Sequence, residues 1–269
     1  MKKVVFNMTI QTTLPLGERE LLGAILDRLS SIPGLKLKSF GFSEPLKLLW
    51  GANAMEELAP LYQSQGEMCF FRLESPMRGM LTISTARNPR AIYNEIKLVA
   101  DYSGIQDKLG EFELLLRDLA IMVQADFAAA TIAGGDPFSV NVQNPEENWG
   151  EIEGSRIPPA SPTGIRFLNG IWWINLFGLR YLEFFGEQTF DNLHAYRAEH
   201  IAPDLFWLQP TQNPLEMQSP SGIILGETIK TRLDRPKAFY GYEAGKPGIM
   251  LPYETPAFDF SLIQIKSKQ

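Results

Sequence analysis

The order of apolar and polar residues along the chain sets out most of its elements. Lys3 to Thr12, "KVVFNMTIQT", is apolar and β-branched, which predicts a first strand. In "GERELLGAILDRLSSIPG", Leu21, Leu22, Ile25, Leu26 and Leu29 fall on one helical stripe, with Glu18, Arg19, Asp27 and Arg28 on the opposite side. Pro33-Gly34 ends that helix. "LKLKSFGF" alternates apolar and basic positions, as a strand with one exposed face does. "MCFFRLES" places Cys69, Phe71 and Leu73 on one face. With a turn at Ser75 to Gly79 and the following "MLTISTA", it predicts an antiparallel hairpin. Phe112, Leu115, Leu116, Leu119, Met122 and Val123 recur at helical spacing. Glu111 and Glu113 stand at the start of this helix, where the dipole favours acids. Its Ala-rich end predicts a short strand near Ala130 to Ala133.

The second half repeats the theme. "IRFLNGIWWINLFG" reads as strand, and "LRYLEFFG" as a short helix stopped by Gly186. "AYRAEHI" and "LFWLQPT" flank Ala202-Pro203-Asp204 as a second hairpin. "SPSGIILGETIKTRLD" begins at a capping Ser and puts Ile224, Leu225, Thr228 and Ile229 on one side of a helix. "FDFSLIQIK" is a candidate last strand. Between the halves, Ala133 to Gly164 is rich in Pro, Gly, Asn and Ser, a long surface loop or a link. The chain divides into 1–133, 134–163 and 164–269, or holds both halves in one domain. Strands and helices do not alternate as βαβ units. The expected class is therefore α+β, mostly antiparallel sheet with helices packed on one face. The two halves have similar make-up, each with a hairpin and a long helix.

Composition narrows the functional choices. The chain has 269 residues, 45% hydrophobic and 21% charged, with a net charge of −6. It has no basic stripe of the kind a nucleic-acid binder needs. Cys69 is the only cysteine, which excludes an intrachain disulfide and suggests a reducing compartment. The apolar run after Met1-Lys2-Lys3 is too short for a signal segment, and no run reaches membrane-spanning length. These features predict a cytoplasmic protein with no membrane partner.

The usual catalytic constellations do not occur. There is no phosphate-binding glycine loop and no Gly-x-Ser-x-Gly. Cys69 lies in a core-facing strand pattern and reads as an inert thiol. His194 and His200 are too far apart to hold one metal alone, so neither metal nor cofactor is expected. Glu183, set among aromatics, would have a raised pKa if buried, or would pair with Arg180 or Arg197. An enzyme with a carboxylate and His site near the aromatic cluster, at Glu183 and His194, is one alternative. An adaptor or structural subunit of a secretion or phage-like assembly is another.

The densest stretch is "GIWWINLFGLRYLEFFG", Gly170 to Gly186. In a strand, Trp172 and Trp173 point to opposite faces, so each needs its own cover. Either both are buried between the sheet and helices, or one is an exposed anchor.

From Gly164 to Glu216 the chain resembles the immunity-52 type of immunity protein from bacterial polymorphic toxin systems. The resemblance rests on a Trp-containing strand ending in Asn175-Leu176-Phe177-Gly178, with Trp172 and Trp173 before it. A short helix then ends in Phe184-Phe185-Gly186, and a strand with Leu208-Gln209-Pro210-Thr211 leads to Asn213-Pro214. It is looser over Glu111 to Ala130, and Pro210 departs from an uninterrupted strand. The resemblance implies a cytoplasmic protein that neutralises a cognate toxin, often a nuclease, by tight binding. A nuclease surrounds its active site with basic residues, so an inhibitor gains from clustered carboxylates. "NPEENWGEIEG" has that composition, with Glu146, Glu147, Glu151 and Glu153 around Trp149. The competing reading is a solvated acidic loop with Trp149 tucked onto its own domain.

Overall fold

The computed structural model describes residues 4–65, 68–85, 94–134 and 170–233. The first strand, β1 (Val4–Thr12), sends Phe6, Met8 and Ile10 into one core, and it pairs on both sides. Helix α1 (Arg19–Ser30) buries Leu22, Ile25, Leu26 and Leu29, the stripe read from the sequence. The chain turns at Gly34, whose φ of +87° suits glycine. β2 (Leu37–Gly41) follows, then the short β3 (Leu48–Leu49) and α2 (Ala54–Gln65). β4 (Met68–Leu73) and β5 (Gly79–Ser84) form the expected hairpin, with Cys69, Phe71 and Leu73 buried on one face. β6 (Asn94–Asp101) leads to α3 (Leu109–Met122), which buries Phe112, Leu115, Leu116 and Leu119. Arg28 Nε donates to Asp118 Oδ2 at 3.0 Å and ties α1 to α3.

The Ala-rich segment becomes β7 (Phe127–Gly134). The second half adds β8 (Ile174–Gly178), α4 (Leu179–Phe185), β9 (Arg197–Ala202), β10 (Leu205–Gln209), α5 (Pro214–Met217) and α6 (Pro220–Leu233). All the strands among the described residues join one ten-stranded sheet in the order β3-β2-β4-β5-β6-β1-β7-β8-β10-β9. Every pairing is antiparallel. The fold is α+β. The β7–β8 pairing runs the sheet without a break from the first half into the second.

Side chains of α1, α2 and α3 share one core with one face of the sheet. On the opposite face, at β7, β8 and β10, a second core takes Tyr181, Leu182 and Phe185 of α4 with Ile229 and Leu233 of α6. Three expectations are corrected here. The strand of the aromatic segment starts at Ile174, so Trp172 and Trp173 enter just ahead of it. Helix α6 buries Gly222, Gly226, Ile229 and Leu233, while Ile224 and Thr228 are exposed. The reason is close approach: a Cβ at Gly222 would lie 2.0 Å from the Glu216 carbonyl oxygen, so the glycine face is the one that docks. Pro210 follows the last residue of β10 and leaves its pairing whole, its carbonyl accepting from the Tyr196 N–H at 3.0 Å. The candidate strand "FDFSLIQIK" lies outside the described residues.

Candidate functional site

The aromatic segment resolves into two burials. Trp173, 1% exposed, joins the core under α1 to α3; Trp172, 2% exposed, joins the core under α4 and α6. The Trp173 indole N–H donates to the Thr211 carbonyl at 3.2 Å, while Trp172 Nε1 has no partner among the described residues. Phe177 packs on Phe185 and on Tyr181 with centroids 5.8 and 5.9 Å apart, and Phe184 on Phe185 at 5.2 Å. A buried aromatic removes about 150–250 Å² from water. At roughly 25 cal/mol per Å² that is on the order of 4–6 kcal/mol of transfer free energy per ring before entropy. Both tryptophans and the rings of Phe177, Tyr181 and Phe185 are packed into the two cores.

Asn175 and Gly178 explain the Asn-x-x-Gly spacing. Asn175 is fully buried. Its Oδ1 accepts from the Trp172 N–H at 2.9 Å, and its Nδ2 donates to the Trp172 and Leu208 carbonyls at 2.8 and 3.3 Å. It fixes the entering chain and links β8 to β10. Gly178 is where β8 crosses the Ala125–Asp126 backbone. Its N–H donates to the Asp126 carbonyl at 2.8 Å, and a Cβ there would lie 2.3 Å from the Ala125 oxygen. Gly186, at φ +81°, stops α4.

The sequence reading missed one polar group of residues. Trp207 Nε1 donates to Gln209 Oε1 at 3.1 Å, and Gln209 Nε2 donates to Glu113 Oε1 on α3 at 3.3 Å. The Arg197 guanidinium lies 4.8 Å from the Trp207 ring centroid and pairs with Glu199 at 2.5 Å. Burial raises the Glu113 pKa, while the Gln209 hydrogen bond and the Arg197 charge oppose the rise. Glu113 and Gln209 are 96 residues apart, so no local pattern could have joined them.

The other candidates do not assemble into a catalytic centre. Glu183 is exposed on α4 and is not set among the aromatics, because the apolar side of that short helix is Tyr181, Leu182 and Phe185. Its expected partners are taken: Arg180 pairs with the buried Asp126, and Arg197 with Glu199. His194 is exposed, and His200 is exposed against the edge of Phe206. Cys69 is buried, and desolvation pushes its thiol up to about 12 against the lowering effect of a Gly41 backbone hydrogen bond. Among the described residues no three acidic, His or Cys side chains converge as a metal site.

Glu146, Glu147, Trp149, Glu151 and Glu153 lie outside the described residues. One cleft among the described residues, about 610 Å³, is instead cationic, lined by Lys38, Arg72 and Arg78 with Leu73, Glu74 and Ser75. A smaller one, about 190 Å³, lies between α5 and α6. Neither is lined by Glu183 or His194. No described helix is long and apolar enough to cross a membrane.

No protein-family model matches the chain, and no curated protein sequence matches it. Among solved structures, the fold is similar to that of a T6SS protein of Pseudomonas aeruginosa, with a TM-score of 0.62. The match covers 90% of this chain and 77% of that one at 16% identity.

Proposed function

We propose that this chain is an immunity-type protein of a secretion-linked toxin system, and that it neutralises a cognate bacterial toxin by direct binding. The observation that carries the reading is the fold held in common with a T6SS protein over 90% of the chain. It agrees with the resemblance of the Gly164 to Glu216 segment to the immunity-52 type. The site geometry supports the same direction. The aromatic residues that could have lined a substrate pocket are spent on two cores, and Glu183 and His194 sit apart at the surface. Such a chain acts through its surface. In this reading the toxin is cationic and meets the acidic segment with Glu146, Glu147, Trp149, Glu151 and Glu153.

A second reading, a subunit of a secretion assembly, draws on Leu215 of α5 and Ile223 and Ile224 of α6, which are 53%, 55% and 67% exposed. Co-expression with a candidate toxic domain from a neighbouring gene separates the two. An immunity protein restores growth and co-purifies with that domain. An assembly subunit does neither.

A further inference from the structure

From the outer edge of β9, we infer that this chain pairs with a second copy of itself, strand against strand, about a two-fold axis at Ala198. β9 ends the sheet, and among the described residues nothing hydrogen-bonds to its outer side. The opposite edge is different, since β3 is only Leu48–Leu49.

The direction of each backbone group on β9 follows from its neighbours. The Gly178 N–H reaches Asp126, so even-numbered residues of β8 face β7, while Asn175 and Phe177 face β10. Their partners Leu208 and Phe206 therefore face β8, which turns Trp207 and Gln209 toward β9. Glu199 and Arg197 oppose these and point inward. Ala198 and His200 are left with N–H and C=O directed outward, and both are exposed.

A second β9 adding antiparallel must pair outward residues with outward residues. Three two-fold registers centre on Ala198 to His200. Centring on Glu199 sets that carboxylate against its own copy, and centring on His200 sets imidazole against imidazole. Centring on Ala198 sets Arg197 opposite Glu199 of the second copy, twice. These are non-hydrogen-bonded positions, where cross-strand side chains come closest. The pairing makes about four backbone hydrogen bonds and brings the exposed Tyr196 against His200 of the second copy. A strand edge protected by like charges would repel its own copy. The Arg-Ala-Glu order here is complementary to itself.

Sedimentation equilibrium of the full chain over a range of concentrations tests this. The expected result is a mass that rises to twice that of the monomer. Glu199→Arg places like charges opposite and leaves a monomer. Ala198→Pro also leaves a monomer, with unchanged circular dichroism, because the removed N–H points away from β10 and the fold keeps its ladder. A wild-type chain that stays monomeric, or a dimer retained by either variant, overturns the inference. The test needs no toxin, so its failure leaves the proposed function standing.

Discussion

Trp172 and Trp173 are neighbours in sequence and are buried in separate cores on opposite faces of one sheet. Their indole N–H groups differ too. That of Trp173 reaches the Thr211 carbonyl, and that of Trp172 finds no described partner. Both lose ring volume on replacement by Phe, but only Trp173→Phe also breaks a hydrogen bond. We expect it to be less stable than Trp172→Phe by about 1 kcal/mol. Urea unfolding of the two variants measures the difference, and equal midpoints would count against it.

Gly178 has no room for a methyl group. A Cβ would meet the backbone at 2.3 Å, and the strand cannot retreat without losing its bond to Asp126. Gly178→Ala is expected to cost at least the upper end of the roughly 1–3 kcal/mol typical of overpacking. A thermal midpoint matching wild type would contradict this. Gly110, whose Cβ would meet nothing within 4 Å, is the control.

The Glu113 carboxyl is held above its ordinary value of 4.5, first by burial. The folded chain therefore binds its proton more tightly than the unfolded chain does. Below the unfolded value this group takes nothing from stability. The loss grows as pH rises through the raised folded value and is complete above it. Glu113→Gln keeps an acceptor for Gln209 and removes the charge. Its stability relative to wild type should rise across that window and then level off. A difference constant with pH would refute the assignment.

Cys69 is buried, and its thiol is pushed up to about 12. A neutral, enclosed thiol is a poor nucleophile. An aromatic disulfide reagent at pH 8 should label none of the native protein and one thiol per chain in denaturant. Rapid labelling of the native state would show Cys69 to be reactive.

The fold was legible wherever one residue type did one job. α1 buries its leucine stripe, the β4–β5 hairpin keeps its alternation, and the Ala-rich tail of α3 becomes β7. Gly186 stops α4 as read. The pattern misled at α6, where two glycines rather than Ile224 make the contact face. It was silent on α2, where Pro60 interrupts the apolar spacing. At the site, strand alternation anticipated that Trp172 and Trp173 take opposite faces, while burial of both or exposure of one stayed open until the two cores were seen. Glu113, Gln209 and Trp207 could not be joined in advance, because the sheet and α3 bring them together across the length of the fold.

The proposed function rests on direct recognition of a toxin by this chain. The direct test is growth of cells expressing a candidate toxic domain from a neighbouring gene, with and without this chain, together with calorimetric titration of the two purified proteins. Restored growth and a saturable complex of nanomolar affinity are expected. Arrested growth in the presence of the folded chain, with no heat of binding, would contradict the proposed function.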